Sequence, residues 1–189
     1  MRSMLFVPGD DLRKLEKARE SRADALIVDL EDSVAPDRRA AARRITREFL
    51  ARERRQTVFV RINALTEPSW AEDIAAVAGG APDGVMLPKC CSPEHVRMLD
   101  QVLTVMEVRD EVTPGRIKIL PLAIEMAEAI FALGGYGSVS KRLCGLMWGV
   151  EDIAVDPGSD VRAENGAYLP AIELARSLCL YGAACAGVP

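Results

Sequence analysis

The chain has 189 residues, 49% of them apolar and 28% charged, and a net charge of −4. That is enough apolar chain for one domain with a sizeable core, and it excludes a disordered polymer. The acidic balance excludes a general nucleic-acid binder. No apolar run reaches the ~20 residues that span a bilayer. The N-terminal MRSMLFVPGDD reads as a strand rather than a signal peptide, because acids follow its apolar run directly and no small-residue cleavage site is present. The five cysteines (Cys90, Cys91, Cys144, Cys179 and Cys185) are odd in number, and no pair has the two-residue gap of a zinc or redox motif. Free thiols in a reducing, cytoplasmic compartment are expected.

The first predicted strand is 3–7 (SMLFV), stopped by Pro8-Gly9. Asp10 or Asp11 caps the helix that follows, with Leu12, Leu15 and Ala18 at helical spacing. The next stretch, 25–36 (ALIVDLEDSVAP), organises the rest. Its apolar start reads as a strand buried on both faces. Asp29, Glu31 and Asp32 then arrive within four positions. Three acids at the end of a buried strand repel one another, and burial disfavours their charge, so a metal cation, cationic side chains or solvent must compensate. Taken alone, the cluster also fits a solvated loop with a helix cap. Apolar runs end in carboxylates twice more, at 119–125 (ILPLAIE) and 146–152 (LMWGVED).

Pro36-Asp37 opens a second helix, with Ile45, Phe49 and Leu50 on one side. Eight arginines lie between Arg38 and Arg55, and with Asp37, Glu48 and Glu53 interspersed they read as a solvated face. Strand three is 57–62 (TVFVRI), followed by Asn63. Arg61, flanked by Val60 and Ile62, must point to water or meet an anion. Ser69 opens a short helix carrying Trp70, Ile74 and Val77, and strand four is 84–87 (GVML), ended by Pro88-Lys89. Cys90 and Cys91 follow that strand end; a reactive thiol there is the less favoured reading. Ser92-Pro93-Glu94 starts a helix whose inner face is Val96, Leu99, Val102, Leu103 and Met106. His95, in its first turn, reads as exposed or partly packed rather than catalytic. Strand five, 117–124, ends at Glu125; a short helix runs to Leu133 and stops at Gly134-Gly135. Strand six, 143–148, is followed by Gly149, Glu151 and Asp152. A polar loop then leads to a last helix with Leu169, Ile172, Leu178 and Tyr181 on its apolar side.

Strand and helix thus alternate six times, which predicts parallel strands joined by right-handed crossovers. The fold is α/β, either an open doubly wound sheet or a TIM (β/α)8-type barrel. Both place their sites where the polar residues gather here, just after the strands. No glycine-rich phosphate loop is present, which weakens a nucleotide-binding reading. If the strand ends share one face, Glu125 and Asp152 come from neighbouring strands and meet. Two carboxylates with waters and substrate oxygens suit Mg2+. Zinc is disfavoured because the cysteines and the single histidine sit elsewhere. Arg61 could grip a substrate carboxylate with its planar fork. Together these predict a pocket for a 2-oxo or 2-hydroxy acid, with the metal as Lewis acid during carbon–carbon cleavage or formation.

The segments RSMLFVPG, DALIVDLEDSVAPDRRAAAR, VFVRIN, GVMLPK, ILPLAIE and GLMWGVEDIAVDPGS, in this order along nearly the whole chain, resemble the acyl-CoA lyases of the citrate lyase beta-subunit type, within the wider HpcH/HpaI aldolase family. The resemblance implies a TIM barrel and a magnesium ion held by Glu125 and Asp152. It implies that Arg61 binds the oxo-acid carboxylate, with Glu125 also at the substrate, and that Glu31 and Asp32 lie in or beside the metal's outer shell as catalytic residues. The implied reaction is reversible cleavage of a 3-hydroxyacyl-CoA into an acetyl-CoA enolate and a 2-oxo acid. Arg2 and Lys17 match positions that meet coenzyme A phosphates. A homotrimer, or a subunit of a citrate lyase complex, is implied as well. The family's chains are longer, so residues 1–189 are expected to form one partial barrel domain, cut after about six βα units, with strands seven and eight outside it. Two other readings stay open: a class II pyruvate-type aldolase without coenzyme A, and a non-catalytic subunit or remnant.

Overall fold

The first five strands are four to seven residues long and mostly apolar. A computed structural model describes residues 1–155, 157–162 and 165–189; Asp156, within the GLMWGVEDIAVDPGS segment, lies outside the described residues. The chain divides into two compact units, Met1–Met86 with Gln101–Lys118, and Leu87–Asp100 with Ile119–Pro189.

In the first unit, β1 (Met4–Pro8), β2 (Ala25–Asp29), β3 (Thr57–Arg61) and the start of β4 (Gly84–Leu87) pair in parallel. Val28 faces both Val7 and Val60 across the ladder, and Asp29 faces Arg61. The order decides between the two predicted folds. A doubly wound sheet reverses beside its first strand. Here β3 takes β2 on one edge and β4 on the other, as in a barrel wall. Every residue of β2 is buried, which is why it reads as a continuous apolar run rather than an alternating one.

Helices join these strands. Asp11 caps α1 (Leu12–Arg19), its Oδ1 accepting the Lys14 N–H at 3.1 Å, and Leu15 and Ala18 are buried. A single 3-10 turn, Pro36–Arg38, precedes α2 (Arg39–Leu50), and α3 (Ser69–Val77) follows β3. Leu15, Leu26, Val28, Leu30, Phe49, Val58 and Val60 belong to one core cluster. The arginine-rich face of α2 is not simply solvated. Arg39, Arg43 and Arg47 recur every four residues, so they share one side of the helix. Arg39 donates to Glu67 at 2.7 Å and to Ser69 Oγ at 3.1 Å. Arg43 donates to Asp73 at 2.7 Å and pairs with Glu72, and Arg47 reaches the Ala76 carbonyl at 3.1 Å. This row straps α2 to α3, while Arg44 faces water.

In the second unit, β5 (Lys118–Ile124, its first residue apart) pairs in parallel with β6 (Met147–Trp148), with Ile124 opposite Trp148. The predicted strand 143–148 is therefore shorter than expected. Pro121 offers no N–H within β5, and the Leu146 N–H is taken by the Pro189 carbonyl at 3.1 Å. Only an isolated bridge, Ile119 to Leu143, marks the strand's expected start. The helix expected after β5 is a 3-10 run, Ala127–Gly135. α4 (Pro93–Arg109) begins in this unit and ends in residues of the first, and α5 (Asp152–Val155) and α6 (Pro170–Ala186) belong to this unit. α6 buries Ile172, Ala175, Cys179, Gly182 and Ala183. Tyr181, expected on that side, is 67% exposed, because the buried stripe advances by three and four residues and passes it by. Among the described residues no helix is long and apolar enough to cross a membrane.

Candidate functional site

The parallel register sets Asp29, the last residue of β2, beside Arg61, the last residue of β3. Arg61 Nε donates to Asp29 Oδ1 at 2.7 Å and Nη2 to Oδ2 at 2.8 Å. Such a two-bond fork is the strongest arrangement available to this pair. The Asp29 carboxylate also accepts the Glu31 and Ser33 N–H groups, each at 3.0 Å. It therefore organises the loop that carries the other acids. Arg61 Nη1 lies 3.1 Å from Glu31 Oε2 and 3.4 Å from Asp32 Oδ2. The guanidinium carbon stands 5.0 Å from the centre of the Phe6 ring. The compensation that three clustered acids demanded thus includes one half-buried guanidinium, and Asp32, with its side chain 58% exposed, also meets solvent.

Burial alone would raise the Asp29 carboxyl. The hydrogen bonds and charge of Arg61, together with the hydrogen bonds from Ser33 and Glu31, outweigh it, and the pKa falls below the ordinary carboxylate value. Burial likewise works against the Arg61 charge, and Asp29, Glu31 and Asp32 more than reverse that, so the guanidinium is held protonated. Phe6, Val7, Pro8, Asp29, Asp32, Ser33 and Arg61 line a hollow of about 420 Å³. In the sequence Asp29 is one of three clustered acids, with nothing local to set it apart. Its special place follows from being the fifth residue of β2 opposite the fifth of β3.

A second buried network holds this edge. Asp73 Oδ2 accepts the Asn63 N–H at 2.8 Å and its Nδ2 at 2.7 Å, and Nδ2 also donates to the Leu30 carbonyl at 3.0 Å. Asp73 Oδ1 takes the Arg43 Nε–H. The segments following β2 and β3 are thereby hooked together. Gly9 completes the edge. Its N–H donates to the Asp29 carbonyl at 2.8 Å, and a Cβ there would stand 2.8 Å from Thr46 Oγ1.

In the second unit, Glu125 follows β5 directly and Asp152 opens α5 four residues after β6. Both stand at the C-terminal ends of paired parallel strands. Glu125 is 3% exposed, and its Oε2 accepts the Lys89 N–H at 2.6 Å. Lys89 makes that bond from a left-handed backbone, φ 49°, which costs a non-glycine residue energy. Gly149 makes room for the same carboxylate, since a Cβ there would stand 2.6 Å from Glu125 Cγ and 2.9 Å from Oε1. Asp152 is half-buried. Among the described residues no three His, Cys, Asp or Glu side chains group closely enough to form a metal cage. Glu125 and Asp152 each offer carboxylate oxygens, a donor type that suits magnesium, which keeps several waters, and not the four-ligand cage of structural zinc.

The remaining candidates lie elsewhere. Arg2 has a side chain 94% exposed, 3.6 Å from Asp24. Lys17 is exposed and lines a shallow hollow of about 290 Å³ with Leu5, Phe6 and Lys14. His95 is half-buried on α4, as expected. Cys90 is buried with its sulfur 3.3 Å from the Tyr136 hydroxyl, and burial pushes its pKa up to about 11, so it is a packing residue and not a reactive thiol.

The chain is similar to known proteins over most of its length. Residues 2–188 match the model of the HpcH/HpaI aldolase/citrate lyase family. A (3S)-malyl-CoA thioesterase of Cereibacter sphaeroides is 32% identical over 99% of this chain and 60% of its own. An L-malyl-CoA/beta-methylmalyl-CoA lyase from the same species is 34% identical over 87% of this chain and 53% of its own. The chain therefore spans little more than half the length of these curated relatives. A citrate lyase beta subunit from M. tuberculosis, solved with oxaloacetate and magnesium, superposes with a TM-score of 0.79 at 32% identity, over 98% of this chain and 74% of that one. By its sequence match, its strand order and this superposition, the chain belongs to the HpcH/HpaI aldolase/citrate lyase family and has the α/β fold of a TIM-type barrel carried through six βα units.

Proposed function

We propose that this chain carries the site of a magnesium-dependent carbon–carbon lyase. The site cleaves a 3-hydroxyacyl-CoA of the citryl, malyl or citramalyl type, reversibly, to acetyl-CoA and a 2-oxo acid. The observation that carries this is the pair of carboxylates, Glu125 and Asp152, at the C-terminal ends of the paired strands β5 and β6. The burial of Glu125 and its bond from Lys89 support a held ligand rather than a solvated acid. In this reading Glu125 and Asp152 hold the metal, which when bound supplies Lewis acidity at the oxo-acid oxygens.

The chain's own part is binding and orientation. Arg61 seats the carboxylate of the oxo acid through a charge-assisted hydrogen bond. Glu31 and Asp32, 3.1 and 3.4 Å from the outer nitrogen of Arg61, serve as catalytic carboxylates in this reading. Glu125 also contacts the substrate. Arg2 and Lys17 are exposed cations of the kind that meet coenzyme A phosphates. The oxaloacetate and magnesium bound by the M. tuberculosis relative, and the coenzyme A ester in the names of the Cereibacter relatives, support this substrate class.

A thioesterase relative favours one second reading, hydrolysis of the same ester to free coenzyme A and a hydroxy acid. An assay on malyl-, citramalyl- and citryl-CoA with magnesium separates them. Acetyl-CoA with a 2-oxo acid is the expected product. Free thiol without acetyl-CoA would give the thioesterase reading, and no turnover of any of the three would count against both.

A further inference from the structure

Arg61 is not a free fork. Its Nε and Nη2 edge is closed by the two oxygens of Asp29, at 2.7 and 2.8 Å. Asp29 cannot follow a moving guanidinium, because it is 1% exposed and anchored by the Glu31 and Ser33 N–H groups. The Phe6 ring lies alongside the guanidinium. The Nη1 end is the part left to meet Glu31 and Asp32. A long, flexible side chain is thereby reduced to one orientation before any ligand arrives, which spares binding the cost of ordering it.

We propose that Asp29 is the positioning residue for Arg61: it holds the Nε–Nη2 edge throughout binding and leaves the Nη1 end to receive the carboxylate of the oxo acid. This rests on the reading that Arg61 seats that carboxylate. Asp29 itself touches no substrate. Asp29 also anchors the loop after β2, but its hold on the oxo acid passes through Arg61, so its loss and the loss of Arg61 are less than additive.

The test is calorimetric titration of the chain with oxaloacetate in magnesium, using wild type, Arg61→Ala, Asp29→Asn and the double variant. Asp29→Asn keeps the shape but sets an amide N–H against one of the donors that the carboxylate now accepts. Both single variants weaken oxaloacetate by roughly tenfold or more, as do losses of groups that orient a ligating side chain. The double variant binds no more weakly than Arg61→Ala. Additive losses, or wild-type affinity in Asp29→Asn beside weakened Arg61→Ala, overturn the positioning role alone. Unchanged affinity in Arg61→Ala overturns the carboxylate-seating reading and the positioning role with it. Should Asp29→Asn not fold by circular dichroism, nitrogen-15 spectra of arginine-labelled wild type decide. Oxaloacetate moves the Arg61 Nη1 resonance and leaves Nε–H in place; a displaced Nε–H contradicts the proposal.

Discussion

At the scale of single residues, the Asp29–Arg61 pair shows how a buried charge is tolerated. Taking either ion out of water is expensive, and removing one partner strands the other. The depressed pKa of Asp29 has a direct consequence for acid stability. Its carboxylate is favoured in the folded chain, so the stabilisation is fully present above about pH 4, the unfolded value. It is lost as pH falls through the lower folded value. Unfolding free energies measured by urea from pH 7 downward should therefore fall more steeply below about pH 4 in wild type than in Asp29→Asn. Parallel curves would show that Asp29 contributes no such linkage. Much of this was legible in the sequence. An arginine between two core residues had to meet an anion, and three clustered acids had to meet a cation. What the sequence hid was which acid makes the fork. That depends on a parallel register, and register is a property of two strands together.

Among the secondary elements, the strands followed closely from their apolar runs and the helices from their caps and spacing. Two exceptions share a cause: a partner distant in sequence took a group that local pattern had assigned elsewhere. β6 is short because the Pro189 carbonyl holds Leu146. Three α2 arginines look solvated in the sequence because their partners are distant in it: Glu67 lies 28 residues and Ser69 30 residues from Arg39. Asp73 is the centre of that strap, fully buried, accepting from Asn63 and Arg43. Asp73→Ala leaves the Arg43 charge and two Asn63 donors without it, and should cost about 3–5 kcal/mol of unfolding free energy in urea. Arg44→Ala, on the solvated side, should stay within about 0.5 kcal/mol. Equal effects would deny the strap its role.

Over the whole molecule, six βα units run in the order the alternation implied, and the pairing of β3 with β4 selects the barrel type over the doubly wound sheet. The residues proposed for the site each stand at strand ends of their own unit. Asp29, Glu31 and Arg61 are there in the first, and Glu125 and Asp152 in the second. The acids of the second unit were legible as repeats of one pattern, an apolar run closing in carboxylates. The devices that hold Glu125 were not, because the Lys89 N–H and the space left by Gly149 are features of backbone conformation and close approach. The most direct measurement of the account is magnesium affinity by calorimetry for wild type, Glu125→Gln and Asp152→Asn. Each substitution should weaken magnesium by at least about tenfold while the fold is retained. Affinity unchanged in both would contradict a metal held at these two strand ends.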